Sequence, residues 1–114
     1  MNVPAEWIAE AGLQDFKPTR CGFHCVVDHE LIALADIEPP IRNADRPLDA
    51  NGFRHDRMLK ILVGIRRDDA IPPIPIEIAD PGQRRYRVRD GVHRYWASVT
   101  VGFTHIPAEV AERY

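Results

Sequence analysis

The segment that decides the fold of this chain reads Asp90-Gly91-Val92-His93-Arg94-Tyr95-Trp96-Ala97. It follows a short alternating strand predicted over 84–90 and opens a helix predicted over 92–101. The glycine permits close backbone approach, and His93 and Arg94 fall in the first helical turn. Free N–H groups and the helix dipole at such a turn attract anions, and a guanidinium adds a bidentate clamp. The segment therefore predicts a phosphate-binding turn, although a helix start that is only capped fits the same spacing.

Helix and strand signals alternate along the rest of the chain. In order, the patterns predict a helix at 4–12, a strand at about 25–33, a loop over 38–52, a helix over 53–67, a strand over 71–79 and a final strand over 104–110. Prolines 72, 73 and 75 restrict the 71–79 strand to a sheet edge or to strand entry. The run Ser98-Val99-Thr100-Val101 has poor helix propensity, so a strand competes with the helix there. The element order predicts one small α+β domain with a mixed sheet and about three helices.

Length and composition fit a globular domain. The chain has 114 residues and 13.0 kDa, with 45% hydrophobic and 28% charged residues, which argues against disorder, collagen and coiled coil. We expect residues 1–25 to be an N-terminal extension with a short helix and residues 26–114 to be the domain. No apolar run reaches the ~18–20 residues of a membrane span, and the first ten residues lack a signal-peptide pattern. With only two cysteines, these features predict a cytoplasmic protein without a membrane partner.

Charge is concentrated in the middle of the chain. The formal net charge is −2, yet residues 40–94 hold twelve Lys and Arg against eight Asp and Glu. Arginine outnumbers lysine thirteen to two, and its planar fork suits phosphate and carboxylate groups. A GC-rich coding sequence would produce the same arginine excess, so both explanations stay open.

Beyond these patterns, the chain resembles the ParB/sulfiredoxin superfamily over about residues 28–111. The resemblance lies in the Ile71-Pro72-Pro73-Ile74 segment, the following strand pair, and the stretch from Asp90 through the Gly-Val-His-Arg turn to the Ile106-Pro107 strand. It implies the fold shared by ParB-like nucleases, sulfiredoxins and free-serine kinases. It also implies binding of a nucleotide, ATP or CTP, with Mg²⁺ as a further candidate.

Site residues follow from the resemblance position by position. Gly91, His93 and Arg94 would hold nucleotide phosphates, and Arg46, in Arg46-Pro47-Leu48, would add a further phosphate contact. Three positions of the first core helix would line the same site, namely Arg57, Lys60 and Gly64. These three also share one helix face by their spacing alone.

One departure from the family pattern limits the chemistry. Val92 stands where sulfiredoxins have their cysteine and ParB proteins a magnesium-binding glutamate, so cysteine-dependent sulfinic acid reduction is excluded. A Mg²⁺ ligand must then come from Asp90, from Asp45, or from phosphates and water. Asp90 is the candidate catalytic residue of an NTP-dependent phosphotransferase or NTPase, and the alternative is that it only caps the helix. A degenerate member with a vestigial site is the remaining possibility.

Two further clusters predict other functions. Arg85, Arg87 and Arg89 project from one strand face at roughly 6.5–7 Å intervals, which suits a nucleic-acid backbone or a protein partner. The alternative is a solvated face of arginine and carboxylate pairs. The Cys21 to Cys25 segment, with His29, offers zinc ligands, two free thiols or a redox pair.

Overall fold

The computed structural model describes residues 2–41, 52–79 and 85–111. The helices are α1 Ala5–Glu10, α2 His55–Arg66 and α3 Val92–Val101, and a 3₁₀ turn spans Leu34–Asp36. The strands are β1 Glu30–Ala33, β2 Ile37–Glu38, β3 Ile74–Ile78, β4 Tyr86–Val88 and β5 His105–Ala111. No helix within these ranges is long and apolar enough to cross a membrane.

The five strands form one mixed sheet in the order β1-β5-β3-β4-β2. β5 runs antiparallel to β1 and parallel to β3, while β4 is antiparallel to β3 and parallel to β2. Together with the three helices, this sheet confirms the predicted small α+β class. The strand competing for 98–101 does not form, because α3 continues to Val101 and ends at Gly102, which has a positive φ of 95°.

The predicted edge position of the proline-rich strand is wrong, since β3 lies in the centre of the sheet. Strand entry is confirmed: Pro72 and Pro73 precede β3, and Pro75 is its second residue. The paired register with β4 begins only at Ile76, and the Pro75 carbonyl accepts the Arg89 N–H at 2.9 Å. The central strand tolerates Pro75 because its missing N–H lies at the end of the ladder between β3 and β4.

The strand predicted at about 25–33 is shorter than expected. β1 begins at Glu30, and upstream of it Cys25 forms only an isolated parallel bridge with Ile71. The two-residue strand β2 and the 3₁₀ turn before it have no sequence period long enough to detect. Most of the predicted 38–52 loop, residues 42–51, lies outside the described residues.

One hydrophobic core joins the helices to the sheet. Fully buried side chains come from every layer and include Ile37, Phe53, Met58, Leu62, Ile74, Ile76 and Ile106. The N-terminal segment contributes to the same core through Val3, Ala11, Leu13 and Phe23. Its boundary with the domain at residue 25 stays a prediction, and its buried side chains belong to the common interior.

His55, the first residue of α2, links the two helices through contacts with two side chains of α1. The His55 Nε2 lies 2.7 Å from Glu10 Oε2, and its ring meets Trp7 edge-on at 5.0 Å between centroids. The hydrogen bond to Glu10 raises the pKa of His55, because a carboxylate stabilises the imidazolium form.

Candidate functional site

A cavity of about 590 Å³ opens where the first turns of α2 face the beginning of α3. It brings together six of the predicted site residues, namely Arg57, Lys60, Asp90, Gly91, His93 and Arg94. Ile61, Ile71, Pro72 and Val92 complete the lining. We call this space the α2–α3 cavity.

Gly91 makes the close approach of α3 to the sheet possible. It caps the helix with φ 108° and ψ 33°, and no side chain caps the first turn. A Cβ atom at this position would lie 2.6 Å from Ile74 Cγ2, which no real contact allows. The Gly91 carbonyl accepts the Tyr95 N–H at 2.9 Å, so the helical ladder begins there. The N–H groups of the first turn of α3 have no acceptor within the helix, and this turn lines the cavity, as an anion site requires.

Asp90 lies at the rim of the cavity and is exposed. Its Oδ1 accepts the N–H of Gly91 at 2.9 Å. This bond orders the turn that begins α3. The predicted catalytic role of Asp90 stays a prediction.

Arg94 is held in place by backbone carbonyls of the chain entering β3. Its Nη1 donates to the carbonyls of Pro72 at 3.0 Å and Pro73 at 2.9 Å. Burial lowers the pKa of Arg94, and the charges of Asp90 and Cys25 oppose that shift. The group remains a cation at any physiological pH, because an arginine side chain is not deprotonated in proteins. Within the described ranges, neither Nε nor Nη2 has an acceptor, so donors remain for an anionic ligand.

Arg57 and Lys60 face the cavity from one side of α2. Both side chains are exposed, and neither forms an ion pair with another described residue. With Arg94 they place three positive charges around a cavity whose acidic lining, in the described part of the chain, is Asp90 alone. Unpaired cations around a concave surface attract polyanions.

His93 is turned inward, with 3% of its surface exposed. Its Nε2 accepts the backbone N–H of Arg54 at 2.9 Å, and its ring meets Phe53 edge-on at 5.5 Å. A ring nitrogen that accepts a hydrogen bond is unprotonated. Because Arg54 caps α2, His93 joins the beginnings of α2 and α3. A direct phosphate contact by His93 stays a prediction.

Of the two other predicted phosphate residues, only Gly64 lies among the described residues. Gly64 lies one turn beyond Lys60 and does not line the cavity. A Cβ atom there would lie 3.7 Å from Ile71 Cδ1, an ordinary packing distance. Arg46, like Asp45, lies outside the described residues.

Arg87 of β4 and the flanking Arg85 and Arg89 all contact neighbouring side chains. The Arg87 Nε lies 3.2 Å from Glu77 Oε1, and the Arg89 Nε lies 3.9 Å from Glu77 Oε2. The Arg85 guanidinium lies 5.2 Å from the centre of the Tyr86 ring. This geometry matches the solvated face of arginine and carboxylate pairs. The role of these arginines in nucleic-acid binding stays a prediction.

The cysteine and histidine segment does not assemble a metal site. No group of three or more His, Cys, Asp or Glu that could hold a metal ion occurs among the residues described. The His24 Nδ1 donates to the Asp68 carbonyl at 2.9 Å. Cys21 and Cys25 are free thiols.

Sequence reasoning missed the acceptors that hold Arg94. They are main-chain carbonyls of Pro72 and Pro73, and a carbonyl has no signature in a side-chain pattern. A proline pair shortly before a strand was the available signal, since prolines keep that backbone extended.

Comparison with known proteins identifies the fold. No protein-family model matches the chain, and no curated protein does. A C-terminally truncated chromosome-partitioning protein ParB from Caulobacter crescentus, complexed with CTP-γ-S, superposes with a TM-score of 0.54 and 20% identity. The match covers 77% of this chain and 46% of that one. The fold is ParB-like.

A second structure gives a poorer superposition. ParB from the same organism, complexed to the centromeric parS site, has a TM-score of 0.48 and 19% identity over 75% of this chain and 40% of that one. This chain therefore spans less than half the length of either ParB structure. At such identity the likeness shows the fold alone. The ParB-like part of the predicted resemblance is confirmed, and the wider grouping with sulfiredoxins stays a prediction.

Proposed function

We propose that this chain binds a nucleoside triphosphate, CTP or ATP, with its phosphates in the α2–α3 cavity. The proposal rests on one observation: Arg57 and Lys60 line the same cavity as the first turn of α3, which no side chain caps. Neither Arg57 nor Lys60 has an ion-pair partner among the described residues. These positive groups attract a ligand that carries several negative charges, and a nucleoside triphosphate is such a ligand. A ParB structure of similar fold is complexed with CTP-γ-S, which supports a nucleotide as the ligand.

Each residue has a distinct part in the proposed complex. The first-turn N–H groups and the remaining Arg94 donors hold one phosphate, and Arg57 and Lys60 neutralise those farther out. His93 is a positioning residue, because its bond to the Arg54 N–H fixes α2 relative to α3. Arg46 is proposed to add a further cation on the strength of the family resemblance.

Asp90 suits a magnesium ion or a proton transfer. Mg²⁺ is commonly bound by one or two carboxylates together with substrate phosphates, and Asp90 supplies a carboxylate at the cavity rim. Bound there, Mg²⁺ would neutralise phosphate charge. If a hydroxyl acceptor enters, phosphoryl transfer needs a group that accepts its proton, and the same carboxylate lies next to the phosphate turn. Nucleotide hydrolysis uses the same parts with water as the acceptor.

Charge-neutralising variants of α2 test the proposal. We expect Arg57→Gln and Lys60→Gln each to weaken binding of CTP or ATP about fivefold in calorimetric titrations with Mg²⁺, because each removes one charge-assisted contact. Arg54→Gln is the matched control, since Arg54 is an exposed cation on the same helix start but does not line the cavity. It should bind within twofold of the parent protein.

Two outcomes would contradict the proposal. One is the absence of binding to either nucleotide at millimolar concentration. The other is salt-sensitive DNA binding that is lost in Arg87→Ala and kept in Arg57→Gln. That pattern would assign the function to Arg87 and the neighbouring arginines instead of the α2–α3 cavity.

A further inference from the structure

A second cavity, of about 520 Å³, contains a connected set of reactive groups that the proposed function does not use. It lies between residues 20–29 and the strands β1 and β5, represented in its lining by Leu31 and Pro107. Cys25 and His29 both line it, with the Cys25 Sγ 3.9 Å from the His29 Nδ1. On the other side of the ring, the His29 Nε2 lies 2.8 Å from Glu109 Oε1.

This order of thiol, imidazole and carboxylate is the arrangement that activates a sulfur nucleophile. Glu109 holds the imidazole in place and raises the pKa of His29, and the Val27 carbonyl, 3.2 Å from Nδ1, and Asp28 act in the same direction. The His29 side chain is 17% exposed, whereas that of Glu109 is 63% exposed. A thiol beside an imidazole that can accept its proton reacts more readily than an isolated thiol.

The segment that presents Cys25 is fixed at both ends. The Cys21 carbonyl accepts the N–H groups of Thr104 at 3.0 Å and His105 at 2.9 Å. Near Cys25, the Ile71 N–H donates to the His24 carbonyl at 2.8 Å. These bonds order the backbone around Cys25 before any ligand binds, as a reactive site requires.

We propose that Cys25 is a modification site that reacts with small disulfides, with His29 and Glu109 as positioning residues. The Cys25 proton passes to His29 Nδ1, and Sγ attacks one sulfur of the disulfide. A new S–S bond forms to Cys25, the original S–S bond breaks, and the departing thiolate takes up the proton. The cavity leaves room for a small disulfide beside Cys25. The inference is independent of nucleotide binding.

Cys21 is an internal control for this chemistry. It lines the same cavity and is more exposed than Cys25, and its thiol forms no hydrogen bond with a histidine among the described residues. Accessibility alone therefore predicts faster reaction at Cys21. Activation by His29 predicts faster reaction at Cys25.

The test measures the rate of reaction with dithiobis(nitrobenzoate), an anionic disulfide, in single-cysteine proteins. At pH 6.5 we expect Cys21→Ala, which keeps Cys25, to react about tenfold faster than Cys25→Ala, which keeps Cys21. Adding His29→Gln should slow Cys25 at least about fivefold and give it the rise of about tenfold per pH unit that an ordinary thiol shows below pH 8.5. Adding Glu109→Gln should slow it less, since the amide still accepts from Nε2.

Folding is controlled within the same set of proteins. His29→Gln in the Cys25→Ala background should leave the Cys21 rate within twofold, which shows that the cavity is intact. The proposal is overturned if Cys21 reacts faster than Cys25. It is equally overturned if His29→Gln changes neither the Cys25 rate nor its pH profile.

Discussion

Replacing Gly91 by alanine should damage the fold and the α2–α3 cavity together. At φ 108° an L-residue is strained, which costs about 1–2 kcal/mol. The new Cβ would also lie 2.6 Å from Ile74 Cγ2 and 3.3 Å from Arg94 Nη2, and overpacking of this kind costs about 1–3 kcal/mol. The two contributions lower the free energy of unfolding by about 3 kcal/mol. For a domain of this size that corresponds to a fall in Tm of about 10 °C.

Urea unfolding followed by circular dichroism measures this loss, and Gly64→Ala is the matched control. Gly64 lies inside α2 with no positive φ, and its Cβ would meet neighbours at 3.7 Å or more. Since alanine favours a helix over glycine, Gly64→Ala should raise the free energy of unfolding by about 0.5–1 kcal/mol. A Gly91→Ala protein within 0.5 kcal/mol of the parent would refute the reasoning, because the strain and the contact with Ile74 cannot both be present at that cost.

Two further expectations concern stability. Ser98 is fully buried and its hydroxyl has no partner among the described residues, so Ser98→Ala should raise the free energy of unfolding by about 1 kcal/mol in urea titrations; a decrease would mean that the hydroxyl is satisfied. The hydrogen bond that His55 donates to Glu10 raises the pKa of His55 above 6.5, so this pair stabilises the fold fully below pH 6.5 and less as the pH rises through the raised value. Glu10→Gln should therefore reduce the difference in unfolding free energy between pH 6 and pH 8, and an unchanged difference would exclude the pair as its source.

Most of the architecture could be predicted from local patterns. α2 carries buried side chains at helical spacing, Met58, Leu62 and Ile65, and α3 ends at a glycine. Both features depend on neighbours within one or two turns. The position of β3 in the sheet could not be predicted, because it depends on which strands pair with it.

The same division applies to the site. Arg57 and Lys60 share a helix face, and the turn residues are consecutive. The sequence alone could therefore predict which cations lie together in the cavity. The inward orientation of His93 depends on Arg54, which is 39 residues away. The pair of His29 and Glu109 spans 80 residues. A contact over such distances follows from the folded topology and has no local signal.

The place of β5 in the sheet has a consequence for how the protein is made. β5 lies between β1 and β3, so residues 30–33 find their partners only in residues 105–108. While the ribosome is still adding these last strand residues, β1 has no partner and the central strand β3 is open on one side. The sheet can therefore close only after residues 105–111 have been made, and the nascent chain must keep an unpaired strand edge from aggregating until then.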